Sequence, residues 1–293
     1  MRLAFSAVNP TDWRARGGFL GGVLPFPMQI PGQDGAGVID AVGPDVDDAR
    51  IGDAVWVYHA AWQRPAGTAA QSVVVPSGQA VAVPEGIGLE QAAALGIPFM
   101  TAHRCLFADG PINDRCVLVA GGAGAVGQAA IQLAKRGGAD VIATVSTPEK
   151  AALAEEAGAD LVVNYRELGA ADRIRTAAPT GVDRILELAL ATNLELDLTV
   201  IGRGGTIMTY SPERADPELP VARLMRDGIR LSFMLIYTTP RQALRTAVEA
   251  ITSALIDRAL RPLPTTVFTL EEIAAAHEAS ERGITGKVLI DTR

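Results

Sequence analysis

Between Val119 and Gly127 the chain places four glycines in nine residues, VAGGAGAVG, and then continues as QAAIQLAK, an alanine-rich stretch with helical spacing. The preceding run, CVLVA from Cys116, has the short apolar character of a buried strand. An order of strand, tight glycine turn and helix leaves few folds open. Glycine permits a positive φ and a close approach of helix to strand, while the helix start offers free N–H groups and positive partial charge. Gly121, Gly124 and Gly127 stand three apart, a variant of the dinucleotide fingerprint with one more residue in the first spacer. A glycine turn that only packs carries the same letters, so context has to separate the two. Downstream, the apolar runs ADVIATV, ADLVVNY, VDRILELA, GGTIMTY and IRLSFMLIY alternate with helical patterns. That alternation predicts βαβ units on a parallel sheet, an α/β doubly wound Rossmann domain, and favours dinucleotide binding.

Which dinucleotide is decided at the end of the second strand, about 20 residues past the last glycine. A carboxylate there holds the ribose 2′-OH of NAD and repels a 2′-phosphate. Here the text is VIATVSTPEK, with Ser146 and Thr147 in that place and Lys150 one helical turn later. Hydroxyls plus an ammonium suit a phosphate, so the expected cofactor is NADPH. The plainer reading makes Thr147 a helix N-cap before Pro148 and Lys150 a surface lysine.

The rest of the chain sets the frame. Its 293 residues suffice for two domains with real cores, and 48% are hydrophobic. From Met1 to about Val83 the text is rich in Gly and Pro with short β-like runs, GAGVIDAVG, DAVWVYHAA and AQSVVVP. After Pro262 the rhythm returns to β, with TTVF, a helix opened by a capping box of Thr269 and Glu272, and GKVLID. The expected organisation is therefore a β-rich domain of residues 1–93 and 261–293 around a Rossmann domain of residues 94–260. A net charge of −7 without basic blocks argues against nucleic acid or anionic membranes as partners. Two cysteines without metal spacing, no membrane-length apolar run and no signal-peptide core at MRLAFSAVNP point to the cytoplasm.

Taken together, VNPTDWRARGG, PGQDGAGVIDAVG, GGAGAVGQAAIQLAK, EEAGADLVVNYRE and GKVLI resemble the zinc-independent quinone oxidoreductases, the ζ-crystallin-like branch of the medium-chain dehydrogenase/reductase superfamily. The resemblance covers nearly the whole chain, with the motifs in order. It implies a GroES-like (chaperonin-10-like) β-rich catalytic domain built from both chain ends, a Rossmann domain, usually a homodimer, and hydride transfer from NADPH to small quinones or other electron-poor enones. Carried over motif by motif, it puts Asn9 at the catalytic cleft and Thr101 on the nicotinamide side. Gly124, Ala125 and Val126 face the pyrophosphate, Ser146, Lys150 and Tyr165 hold the 2′-phosphate, and Phe233, Met234 and Leu235 pass beside the nicotinamide. The sequence departs from the family in two places. Only eight residues precede Asn9 where the family has roughly 30, so a leading hairpin is expected to be absent, leaving unpaired sheet edges. ELALATNLE carries Ala189 and Ala191 where a glycine-bearing loop is expected.

Zinc dehydrogenases of the superfamily need three protein ligands and an open position. The segment where they place a His–Glu pair reads PGQDGAG, with Gln33 and Asp34, and the four-cysteine structural lobe is missing, so no metal site is expected. A quinone accepts hydride into a delocalised anion and needs only modest hydrogen bonding. A cleft lined by Asn9, Tyr58 and Thr101 fits that chemistry, with orientation of cofactor and acceptor as the protein's main share. His59, His103 and His277 lack partners at metal or triad spacing and are expected to pack, GxSxG does not occur, and Cys116 is expected to be buried and inert. Two other readings stay open: an enoyl thioester or enal reductase, to which Arg14 and Arg16 of WRARGGFLGGVLPFP would suit an acidic substrate, and a non-enzymatic NADPH-binding sensor or RNA-binding protein.

Overall fold

A computed structural model describes residues 1–18, 26–213 and 215–293. The chain divides into two compact units. One comprises Met1–Met100, Val248–Arg258 and Pro262–Arg293; the other comprises Thr101–Ala247 and Ala259–Arg261.

In the first unit, with elements numbered in chain order, β1 (Arg2–Val8), β2 (Asp34–Val38), β3 (Ala54–Val57) and β4 (Ala80–Ala82) share a sheet with β11 (Thr265–Thr269) and β12 (Lys287–Asp291). The strand order is β11-β12-β1-β2-β3-β4. The two chain ends therefore meet in the sheet, where Phe5 pairs with Asp291 and Val8 with Val288 in antiparallel register. Six of the seven β1 residues are buried, as a central strand covered on both faces requires. Against this sheet lie α2 (Leu89–Ala93) and α10 (Ile273–Glu281), with α1 (Pro10–Arg16) packed on α10 and Val8, Ala276, Val288 and Ile290 in one core cluster.

The second unit carries the parallel sheet that the alternating pattern predicts. Its strands are β5 (Cys116–Ala120), β6 (Asp140–Val145), β7 (Leu161–Asn164), β8 (Val182–Glu187), β9 (Ile201–Thr209) and β10 (Arg230–Phe233), in the order β10-β9-β8-β5-β6-β7. The helices are α4 (Ala125–Arg136), α5 (Pro148–Glu156), α6 (Ala170–Ala177), α7 (Leu190–Val200) and α8 (Val221–Asp227), while α3 (Gly96–Phe107) and α9 (Arg241–Ile256) each cross a unit border. The apolar stripe of α4, including Ala130, Ile131 and Ala134, is buried, and Lys135 and Arg136 in its last turn complement the helix dipole. The fold is thus α/β with a Rossmann-type sheet. Among the described residues no helix is long and apolar enough to cross a membrane.

Several elements differ from the sequence expectation. AQSVVVP forms no strand: it makes one isolated bridge from Ser72 to Arg2, Val74 is 87% exposed, and Pro76 has no N–H to extend a ladder. IRLSFMLIY is strand only to Phe233, so Met234 and Leu235 follow the strand. Thr269 ends β11 rather than opening a helix; its N–H donates to Glu272 Oε2 at 2.9 Å, half of the expected capping box, and α10 starts after Glu272. ELALATNLE turns directly into α7 after Ala189, its alanines being helix formers where glycines would make a loop.

Candidate functional site

The glycine turn joins β5 to α4. Gly121 adopts φ +68°, open to glycine at little cost, and a Cβ on Gly127 would lie 2.2 Å from the carbonyl oxygen of Gly121. The helix can start this close to the strand only without that side chain. Gly124 is the N-cap of α4 and supplies no side-chain cap, so the first N–H groups of a twelve-residue helix keep their capacity for an anion. Gly124 is exposed there, with Ala125 and Val126 half-buried beside it. One further residue reaches the turn: a Cβ on Gly121 would meet Leu188 Cδ2 at 2.4 Å, so the segment after β8 lies against the glycine turn.

At the end of β6, Lys150 Nζ donates to Ser146 Oγ at 3.3 Å. Thr147 Oγ1 accepts the Lys150 N–H at 3.3 Å as the N-cap of α5, with Pro148 in the first helical position. The capping role is therefore real, and it also turns Ser146 and the Lys150 ammonium toward one spot. Tyr165 follows β7, is 42% exposed, and has the Arg166 guanidinium 5.9 Å from its ring centroid. Phe233 ends the edge strand β10 with 69% of its surface exposed, and Met234 and Leu235 are half-buried after it. Thr101 is buried within α3.

In the first unit the structure joins Asn9 and Asp34 to Asp12 and Lys287, two residues that sequence reasoning missed. Asn9 is 1% exposed; its Nδ2 donates to Asp34 Oδ2 at 2.8 Å and its Oδ1 accepts from Lys287 Nζ. Its backbone N–H donates to Asp12 Oδ2 at 2.7 Å. Asp34 also accepts the Ile97 N–H at 2.8 Å, and Lys287 Nζ lies 3.8 Å from Asp34. The Asn9 amide is thus spent on a buried cluster of two carboxyls and one ammonium. With one cation for two acids and no solvent, burial pushes Asp34 up to about 6 and Asp12 up to about 7. Burial draws Lys287 down, opposed by the two aspartates. The available signal was a lysine heading an apolar strand, KVLI, which needs a buried partner.

Tyr58 is buried, donates its hydroxyl to Gly78 O at 3.2 Å and stacks near Trp56 and His59. Arg16 pairs with Glu281 at 3.3 Å and Arg14 lies over the Trp13 ring; residues 19–25 of the apolar segment expected beside them lie outside the described residues. Burial lowers His59 and His103 to about 4, keeping both neutral, and no group of three or more His, Cys, Asp or Glu among the described residues could hold a metal ion. Where a zinc dehydrogenase needs ligands, Gln33 and Asp34 stand, and Asp34 Oδ2 is taken by Asn9 and Ile97 with Lys287 3.8 Å away, so the position offers zinc an amide and an already bound carboxyl oxygen rather than a histidine or thiolate.

Comparison with known proteins finds similarity along most of the chain. The alcohol dehydrogenase GroES-like domain family matches residues 1–85, and the zinc-binding dehydrogenase family matches residues 125–253. A quinone oxidoreductase of Sus scrofa is 30% identical over 287 residues, which span 97% of this chain and 85% of that protein. Among solved structures, an NAD-dependent alcohol dehydrogenase superposes with a TM-score of 0.87 at 27% identity, covering 99% of this chain and 90% of the other. A mycobacterial protein complexed with NADPH superposes at 0.86 with 28% identity, covering 99% and 90%.

Proposed function

The chain belongs to the quinone oxidoreductase branch of the medium-chain dehydrogenase/reductase superfamily and is an oxidoreductase, and on that premise we propose that it reduces quinones or related electron-poor enones with NADPH and without zinc. The observation that carries the cofactor preference is the Ser146–Lys150 pair at the end of β6, where an NAD site would keep a carboxylate. Bound there, NADPH supplies a hydride, and an acceptor of this class spreads the arriving charge over its conjugated oxygen.

The residues divide the work. Gly121, Gly124, Ala125, Val126 and Gly127 receive the pyrophosphate at the start of α4, whose N–H groups and dipole favour it. Ser146, Thr147, Lys150 and Tyr165 take the 2′-phosphate end. Phe233, Met234, Leu235 and Thr101 line the nicotinamide side and keep water from it, and Tyr58 lies on the acceptor side. Asn9 acts as a positioning residue, because its amide is bound to Asp34 and Lys287. The assembly we propose is a homodimer joined along the unpaired edge of β10, with Met225 and Val221 of α8, 77% and 58% exposed, as further apolar surface. The reduced thiols Cys105 and Cys116 suit a cytoplasmic home.

The test is oxidation of NADPH by the purified chain with 1,4-benzoquinone in the presence of a strong chelator, repeated with NADH. Turnover that prefers NADPH and ignores the chelator supports the proposal. Equal turnover with both cofactors refutes the 2′-phosphate site, and loss on chelation refutes zinc independence. Faster reduction of a crotonyl thioester than of the quinone moves the acceptor class to enoyl thioesters.

A further inference from the structure

Glu187 ends β8, and Asp197 lies one helical turn beyond Asn193 on α7. Their carboxyl-bearing residues are 0% and 1% exposed. Glu187 Oε1 accepts the Ala189 N–H and, at 3.0 Å, Asn193 Nδ2. Glu187 Oε2 and Asp197 Oδ2 receive no donor from any other described group, and the two carboxyls are within hydrogen-bonding reach of each other. Two carboxylates are both acceptors, so that contact requires a proton between them. The Tyr210 phenol, after β9, faces Glu187 and is kept neutral by burial, and beyond the pair the Glu213 carboxylate accepts the Ala191 N–H and the Thr192 hydroxyl, so it holds the far end of the segment. No ion pair with a cationic side chain is formed by either carboxyl among the described residues.

The pair has a lever on the cofactor turn. Glu187 Oε1 holds Ala189 N–H, and the residue between them, Leu188, lies against Gly121. We propose that Glu187 and Asp197 share one proton and that this proton fixes the segment Leu188–Ala191 against the glycine turn, making both acids positioning residues for the dinucleotide. The proposal rests on the preceding reading that this turn binds NADPH. Loss of the proton leaves two buried carboxylates in contact. They repel, Glu187 leaves Ala189, and Leu188 loses its support on Gly121. The direction follows from burial, reinforced by the Glu187 charge, which pushes Asp197 up to about 9: the proton is kept through neutral pH and released on the alkaline side.

The experiment pairs infrared spectroscopy with NADPH fluorescence titration on the full chain, wild type, Asp197→Asn and Glu187→Gln. A protonated-carboxyl band is expected in the wild type at pH 8, above the release of Asp34 and Asp12, fading with further alkali and missing from Asp197→Asn; in Glu187→Gln burial still protonates Asp197, and the band fades at lower pH because the Glu187 charge is gone. The wild-type Kd for NADPH is expected to rise about tenfold for each unit of pH beyond the release point. In Asp197→Asn the amide donates to Glu187 at every pH, so this rise is absent, and effects of alkali elsewhere in the chain are common to both proteins and cancel in their ratio. A band that persists at pH 8 in Asp197→Asn overturns the shared proton. Parallel alkaline rises in wild type and Asp197→Asn overturn the positioning role. NADPH that fails to bind the wild type at any pH refutes the cofactor reading and the positioning role with it, while the band still decides whether the proton is shared.

Discussion

Replacing Gly127 with alanine tests the close approach of α4 to β5. The added Cβ lies 2.2 Å from Gly121 O and 2.9 Å from Gly122 Cα, both backbone atoms that no rotamer change can move. Ordinary contact begins near 3.4 Å, so the helix start has to retreat by about 1 Å. Overpacking of this kind costs about 3 kcal/mol, and the better helix propensity of alanine returns about 1, leaving roughly 2 kcal/mol. For a unit of this size that lowers Tm by about 4–8 °C. Gly124→Ala is the control, because its Cβ meets nothing closer than 3.4 Å and only the N-cap preference is lost. Thermal unfolding by circular dichroism should therefore separate the two, whereas NADPH titration should show weaker binding in both. A Gly127→Ala protein that melts with the wild type refutes the packing argument, and a Gly124→Ala protein that binds NADPH normally refutes the placement of the pyrophosphate.

Lys150→Ala should weaken NADPH about tenfold, the worth of one hydrogen bond to a charged group, and leave NADH unchanged; equal losses in parallel titrations would remove Lys150 from the 2′-phosphate site. Lys287→Met strips the cation from the Asp12–Asn9–Asp34 cluster and should cost about 3–5 kcal/mol, with Asp34→Asn/Lys287→Met recovering part of it in urea unfolding. Because Asp34 and Asp12 have raised pKa values when folded, the folded chain holds more protons than the unfolded one between about pH 4 and 7. Their contribution to stability therefore falls as pH rises through that window and levels above it. Asp34→Asn should flatten the pH 4–6 part of the slope of Tm, and an unchanged slope would contradict the cause given. Cys105 is buried with its thiol pushed up and Cys116 is pushed up to about 11, so a thiol reagent at pH 8 should label neither until the chain unfolds.

The second unit was the more legible in sequence, because its signals are local. The glycine spacing, the Thr147 cap and the apolar strands lie within a few residues of what they specify, and the structure brings Ser146 and Lys150 together as that spacing requires. Residues joined across long stretches of chain were not legible. Lys287 meets Asn9 and Asp34 across nearly the whole sequence, and nothing near KVLI names those partners. Glu187 and Asp197 sit ten positions apart, and their letters resemble an ordinary strand end and helix face until β8 and α7 pack. AQSVVVP misled for a related reason: β-branched residues fit a strand, but a ladder also needs a neighbour with free groups along its length.

The pairing of Phe5 with Asp291 has a consequence for synthesis. Strand β12 stands between β11 and β1, so the first unit cannot close its sheet until β12 has left the ribosome. The second unit is nearly continuous in the chain and is available to fold earlier. Meanwhile β1 waits with an open edge, a state that invites aggregation and chaperone binding. A nascent chain that stops at Gly286 lacks the whole of β12 and with it the join between β11 and β1, so termination there should yield a protein recognised as unfinished rather than one slightly weakened.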